Sequence, residues 1–161
     1  MTIKSADLPI LEFDFSRKAI IEPRSHFDAA GITRCVLCFF YDTLAALVEA
    51  GRLKAVGNLL SEMGPNPVYE LEHAGERLLV VHPGVGAPLA VGFLEEVIAL
   101  GVKDIIACGG CGVLDASIDA GHPMIVEAAV RDEGTSYHYL PAGREATAHP
   151  EAIVALENTF Q

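Results

Sequence analysis

The positions of this sequence best suited to holding a ligand are two glycine clusters, Gly84-Val85-Gly86 and Gly109-Gly110-Cys111-Gly112. Each directly follows an apolar run that reads as a strand. In open α/β sheets ligands bind beyond the carboxyl ends of the strands. A residue without Cβ lets backbone N–H groups approach a ligand closely there. Tight turns alone would also explain these glycines. A dinucleotide site is excluded: Gly84-Val85-Gly86-Ala87-Pro88-Leu89 lacks the third glycine of that fingerprint, and no acidic residue ends a strand about 20 positions later. A second candidate is Arg131-Asp132-Glu133-Gly134-Thr135-Ser136-Tyr137-His138-Tyr139, which gathers charge, hydroxyls, an imidazole and two aromatic rings after another apolar run. An Arg131 salt bridge with capped turns is the plainer account of that segment.

The four cysteines fall into two C-x-x-C pairs, Cys35/Cys38 and Cys108/Cys111, a pattern shared with four-cysteine zinc sites. Cys35 and Cys38 lie inside the apolar run Cys-Val-Leu-Cys-Phe-Phe, and residues three apart on a strand face opposite ways. The expectation is therefore free thiols buried as small hydrophobes, with no metal. His26, His73, His122 and His149 show no spacing that suggests a metal or a triad, and His82 reads as a strand-end residue beside the first glycine cluster.

The elements that position these residues follow from periodicity. Residues 34–40 read as a buried strand, followed by a helix capped by Asp42, with Leu44, Leu47 and Val48 on one face and Gly51 as its stop. Runs over 67–73 and 77–82 flank Ala74-Gly75-Glu76 as a hairpin. Ala90, Phe93, Leu94, Val97 and Ile98 define a helix ended by Gly101, with Glu95 and Glu96 turned away, and 103–108 returns as a strand. This strand–helix–strand order predicts parallel, neighbouring strands near residues 80 and 106, so that both glycine clusters face one pocket. A further buried strand is expected from Met124 to Val130, and a last helix from Pro150. That helix reaches Gln161 without a stop signal, which predicts more protein after it. Residues 1–30 read as an irregular arm and 31–161 as one domain.

Composition narrows the function. A chain of 161 residues can bury a core without disulfides or metal, and at 51% apolar it is not disordered. A formal charge of −11 argues against nucleic acid as a partner. No apolar run reaches the roughly 18–20 residues of a membrane span, and the N-terminus lacks a signal-peptide pattern, so a cytoplasmic protein without a membrane partner is expected.

At its motifs the chain resembles the purine nucleoside and uridine phosphorylase family. The resemblance runs through Gly84-Val85-Gly86-Ala87-Pro88, the helix ending Glu95-Glu96-Val97-Ile98-Ala99-Leu100-Gly101-Val102-Lys103, then Cys108-Gly109-Gly110-Cys111-Gly112, and on through Gly121 to Val130-Arg131-Asp132-Glu133-Gly134-Thr135-Ser136. It implies a three-layer α/β/α fold around a mixed central sheet, assembly as a homo-oligomer, and pentosyl transfer: phosphate attacks the anomeric carbon of a nucleoside as the bond to the base breaks. Carried over, Gly84 and Gly86 would bind phosphate, while Gly109, Gly110, Cys111, Gly112 and Arg131 would bind the nucleoside. No cofactor is implied beyond phosphate as co-substrate.

The departures from the family pattern lie at the phosphate end. Relatives carry a Gly-Asp-Pro turn and an arginine where this chain has Phe39-Phe40-Tyr41-Asp42-Thr43-Leu44, and another arginine where it has Ala107. Their next Ser or Thr aligns with Gly110. The family's ribose-binding glutamate and base-contacting acid come later than residue 161. Three functions follow: phosphorolysis of a nucleoside, hydrolysis of a nucleoside by water, or a non-catalytic nucleoside-binding or assembly domain.

Overall fold

The apolar run after Arg34 becomes an inner strand of a five-stranded sheet in the computed structural model of the chain, which describes residues 5–16 and 18–160. The chain divides into two compact units, one formed by residues 18–111 and the other by 1–17 with 112–161.

The first unit carries the sheet. Its strands are β1 (Arg34–Cys38), β2 (Leu53–Ser61), β3 (Gly64–His73), β4 (Glu76–Val81) and β5 (Asp104–Cys108), in the order β2-β3-β4-β1-β5. β1 is parallel to both β4 and β5, while β2, β3 and β4 form an antiparallel meander. The sheet is therefore mixed. The strands near residues 80 and 106 are parallel as expected but are not neighbours. β1 lies between them, pairing Val36 with Val80 on one side and with Ile106 on the other. A strand apolar on both faces gains most from the inner position, where layers cover it above and below.

Helix α1 (Tyr41–Glu49) and helix α2 (Ala87–Ala99) cover opposite faces. Phe93 and Val97 of α2 pack with Cys35, Leu37, Leu79, Val81 and Val68. Leu44 of α1 packs with Cys38, Val80 and Leu53 from the other side. This is the three-layer α/β/α arrangement, and it separates Cys35 from Cys38 by the thickness of the sheet. Asp42 does not cap α1. Phe40 holds the N-cap position without a side-chain hydrogen bond, and Asp42 lies in the first turn, where its charge suits the helix dipole. Gly51 follows the last turn at φ +68, as its expected role as stop requires.

The β3–β4 hairpin turns on Ala74 and Gly75, whose φ values of 51 and 80 are both left-handed, as in the mirror-image turns that suit strand twist. β2 was not expected. A bulge at Val56 breaks its alternation, so that Leu53 joins the α1 side while Leu59 joins the α2 side. The ring of Phe27 lies directly over Gly57, where a Cβ would fall 2.3 Å from it.

The second unit holds a two-stranded antiparallel ribbon, β6 (Ala128–Val130) with β7 (Glu145–Thr147), and helix α3 (Pro150–Phe160). The buried strand expected from Met124 to Val130 is not present in that form. Only its last three residues pair, and Met124, Val126 and Val130 are exposed. A ribbon of two strands has no second layer of its own to cover its faces. Among the described residues of this unit, Arg131 alone is buried.

Candidate functional site

Because β1, β4 and β5 are all parallel, their carboxyl ends share one edge of the sheet. Both glycine loops of the first unit leave from that edge. Gly84 requires glycine twice over: its φ is +76, and a Cβ there would fall 2.3 Å from Cδ2 of Leu89. Gly86, at φ +94, is the N-cap of α2 and its carbonyl accepts the amide of Ala90 at 3.0 Å. Pro88 in the first turn removes one of the amides that a helix start could offer an anion.

The second cluster is separated from the first by the exit of β1. The amide of Phe39 donates to the carbonyl of Cys108 at 2.9 Å, continuing the β1–β5 ladder. A Cβ on Gly109 would meet that of Phe39 at 3.1 Å, and one on Gly110 would lie 3.6 Å from the Phe40 ring. The aromatic pair that follows β1 thus stands between Gly84/Gly86 and Gly109/Gly110, in place of the single open pocket expected from neighbouring strands. Cys111 is exposed. Ala107 is exposed on β5, in register with Leu37.

His82, set aside in the sequence as a strand-end residue, organises the first turn. Its Nδ1 accepts the amide of Gly84 at 3.1 Å, and its carbonyl accepts Nδ2 of Asn66 at 2.8 Å. A ring nitrogen that accepts a hydrogen bond carries no proton, so neutral His82 holds its hydrogen on Nε2. The only signal for this in the sequence was the adjacency of histidine to a Pro-Gly turn. A cavity of about 320 Å³ lies at the opposite, amino ends of β1 and β4, lined by Ala30 to Arg34 and Gly75 to Arg77.

The thiols do not form two C-x-x-C sites. Cys35 and Cys38 face opposite layers, and the register pairs Cys38 with Cys108 across the two motifs. Burial pushes the Cys35 thiol up to about 12 and, with Cys38 beside it, the Cys108 thiol up to about 11. Cys35 and Cys38 are buried as expected, Cys108 is half-buried, and Cys111 departs from that expectation.

Gly112 and Arg131 belong to the second unit. Arg131 is only 7% exposed, and it is not held by a carboxylate. Its Nε donates to Oγ of Ser136 at 2.9 Å, Nη1 to the carbonyl of Pro141 at 2.6 Å and Nη2 to that of Leu140 at 3.0 Å. The guanidinium lies 4.4 Å from the centre of the Tyr137 ring. Ser136 in turn donates its hydroxyl and its amide to Glu133, and these bonds hold the Glu133 carboxyl below its ordinary range. Arg131 therefore closes the loop from 132 to 141 around itself, where the plainer reading had expected a salt bridge.

Comparison with known proteins agrees with this architecture. Residues 33–160 match the phosphorylase superfamily. The chain is 29% identical over 120 residues to a guanosine phosphorylase of Halorubrum lacusprofundi, covering 68% of this chain and 50% of that protein. It is 34% identical over 84 residues to a uridine phosphorylase of Haemophilus influenzae, covering 52% of this chain and 33% of that one. Among solved structures, uridine phosphorylase from Vibrio fischeri ES114 superposes with a TM-score of 0.68 at 23% identity, over 88% of this chain and 59% of that one. Purine nucleoside phosphorylase from Toxoplasma gondii, in complex with immucillin-H, gives 0.68 at 20% identity, over 89% and 57%. The chain thus spans a third to a half of these curated relatives. With the matched segment running from β1 through α3, the chain belongs to the phosphorylase superfamily.

Proposed function

We propose that the chain supplies the glycine-lined part of a nucleoside-cleaving site of the phosphorylase type. The observation that carries this reading is the placement of the family's motifs. Gly84-Val85-Gly86 and Gly109-Gly110 leave the same edge of the sheet, on strands whose order and direction build a mixed α/β/α core. The names of the relatives support it. In this reaction an oxygen of phosphate bonds to the anomeric carbon while the bond to the base breaks, and the electron pair of that bond leaves with the base. Gly84 and Gly86 would lie against phosphate. Gly109, Gly110, Cys111, Gly112 and Arg131 would serve the nucleoside, Arg131 by holding the 132–141 loop in shape. Assembly of several copies, supported by the exposed apolar residues of both units, and a cytoplasmic setting complete the proposal.

Water as the nucleophile is the second reading, and a specific observation favours it. The amide of Gly84 is already used by His82, and Phe39 and Phe40 stand at the exit of β1. The resemblance, moreover, implies an arginine at the position of Ala107. Two missing guanidinium contacts weaken phosphate binding by roughly 1.5–3 kcal/mol each. The test is release of free base from uridine and guanosine with and without phosphate, by this chain and by any longer product of its gene. Release that requires phosphate supports the first reading, and release indifferent to phosphate supports the second. No release by either protein refutes both.

A further inference from the structure

The edge that the resemblance assigns to phosphate is built here from rings. The centres of the Phe39 and Tyr41 rings lie 6.1 and 6.4 Å from that of His82, with interplanar angles of 66° and 74°. Phe39, Phe40 and Tyr41 remain 38%, 43% and 72% exposed, so ring surface is open to solvent at the head of α1. The Gly84 amide occupies Nδ1 of His82, which leaves Nε2 as the ring's donor.

Charge is distributed in the opposite sense. The Lys and Arg of the strands and of the residues next to them (Arg34, Arg52, Lys54, Arg77, Lys103) lie toward the amino ends of the parallel strands, whereas Arg24 lines a hollow with Asn58 and Leu59 toward the other end of β2. Arg34 and Arg77 are moreover paired with Glu76 and Glu70. Neither α1 nor α2 contains a Lys or Arg, and none occurs in the turns 39–40, 82–86 or 109–111. A corner with open rings, one ring N–H donor and no Lys or Arg in its own turns and helices favours a flat, uncharged ligand with a hydrogen-bond acceptor over an anion.

We propose that Phe39, Tyr41 and His82 form a binding site for an uncharged planar heteroaromatic ring, which packs on the two aromatic side chains and accepts the Nε2–H of His82. The proposal rests on the reading of this edge as part of a nucleoside site, but it places a ring where that reading by resemblance places phosphate.

The experiment is equilibrium binding to the intact chain, with uracil, hypoxanthine and inorganic phosphate as separate probes. It is followed by calorimetry and by tyrosine emission, which no tryptophan obscures. Both bases are expected to bind in preference to phosphate. Tyr41→Ala and Phe39→Leu should each weaken them about tenfold. His82→Phe, which keeps a ring but loses the donor, should do the same. Phe39→Leu preserves the packing on Gly109, and Tyr41 is exposed enough that its removal leaves the fold intact, which the urea midpoint of each variant checks. Base affinities unchanged in all three variants overturn the proposal. So does phosphate binding more tightly than either base, or a second copy covering the corner so that base binds only after Tyr41→Ala dissociates it. Nucleoside cleavage with base affinities untouched by the variants would refute this site alone. Base binding lost in the variants, without cleavage of any nucleoside, would refute the proposed reaction and leave this site standing.

Discussion

Replacing Gly84 by alanine tests whether the first glycine turn is set by backbone conformation, by close packing, or by both. The φ of +76 puts an L-residue in the left-handed region, at a cost of about 1–2 kcal/mol. The new methyl would lie 2.3 Å from Cδ2 and 2.7 Å from Cγ of Leu89, closer than any real contact. Leu89 is half-buried and packs against the core on the α2 face, so moving it aside loses that packing. Repacking of this kind costs about 1–3 kcal/mol. The expected loss is therefore about 2–5 kcal/mol, a large part of the roughly 5–15 kcal/mol that holds a domain of this size. Urea unfolding should show a lower midpoint with an unchanged slope. The double variant Gly84→Ala/Leu89→Ala separates the two causes, because it relieves the clash and leaves the backbone strain. It should be less destabilised than the sum of the single variants by about 1 kcal/mol or more. A single variant within about 0.5 kcal/mol of the parent, or strict additivity in the double variant, would refute the argument.

Three further outcomes are expected. Phosphate should bind with millimolar or weaker affinity, and Ala107→Arg should tighten it in calorimetry if residue 107 faces the co-substrate. Above pH 9 stability should fall: the ordinary thiol value of 9.0 rises to about 12 at Cys35, so the unfolded chain loses its proton first. The slope is about 1.4 kcal/mol per pH unit for one thiol, and urea midpoints at several pH values should show Cys35→Ala lacking that contribution. Arg131→Lys should lose about 1–3 kcal/mol and open the 132–141 loop to proteolysis, because a single ammonium cannot reach Ser136, Leu140 and Pro141 together.

Where local chemistry decides the structure, it was legible in the residues. Ala74-Gly75 marks its hairpin because two successive left-handed residues suit few other turns, and the Phe93/Val97 spacing marks α2 because burial on one face imposes the helical period. β2 was hidden by its bulge: once Val56 is skipped, Leu53 and Leu59 no longer belong to one alternating face. The order of the parallel strands was not legible either. A crossover helix can return its chain beside the preceding strand or beyond an intervening one, and nothing in the spacing of α2 distinguishes the two. At the site, the glycine turns were readable from their position after strands. The aromatic barrier between them was not, because it follows from β1 lying between β4 and β5. Arg131 stood out by its neighbours, but its carbonyl partners at 140 and 141 are fixed by the course of the loop and carry no residue signature.

The interior position of β1 also has a kinetic consequence. β2, β3 and β4 are joined through two-residue loops, so their pairing brings together segments close along the chain and can form early. β1 precedes this meander in the chain, yet it pairs with strands on both sides, Val80 on one and Ile106 on the other. Both contacts close long loops, and the second waits until α2 has crossed the sheet. The meander is thus expected to be the folding nucleus and the closing of β1 between β4 and β5 a late event. Gly75→Val, in the hairpin turn, should slow refolding, whereas Ile105→Val, on the β5 side, should chiefly speed unfolding. Stopped-flow chevrons on the two variants would settle the order, and the reverse pattern would show that the parallel pairs form first.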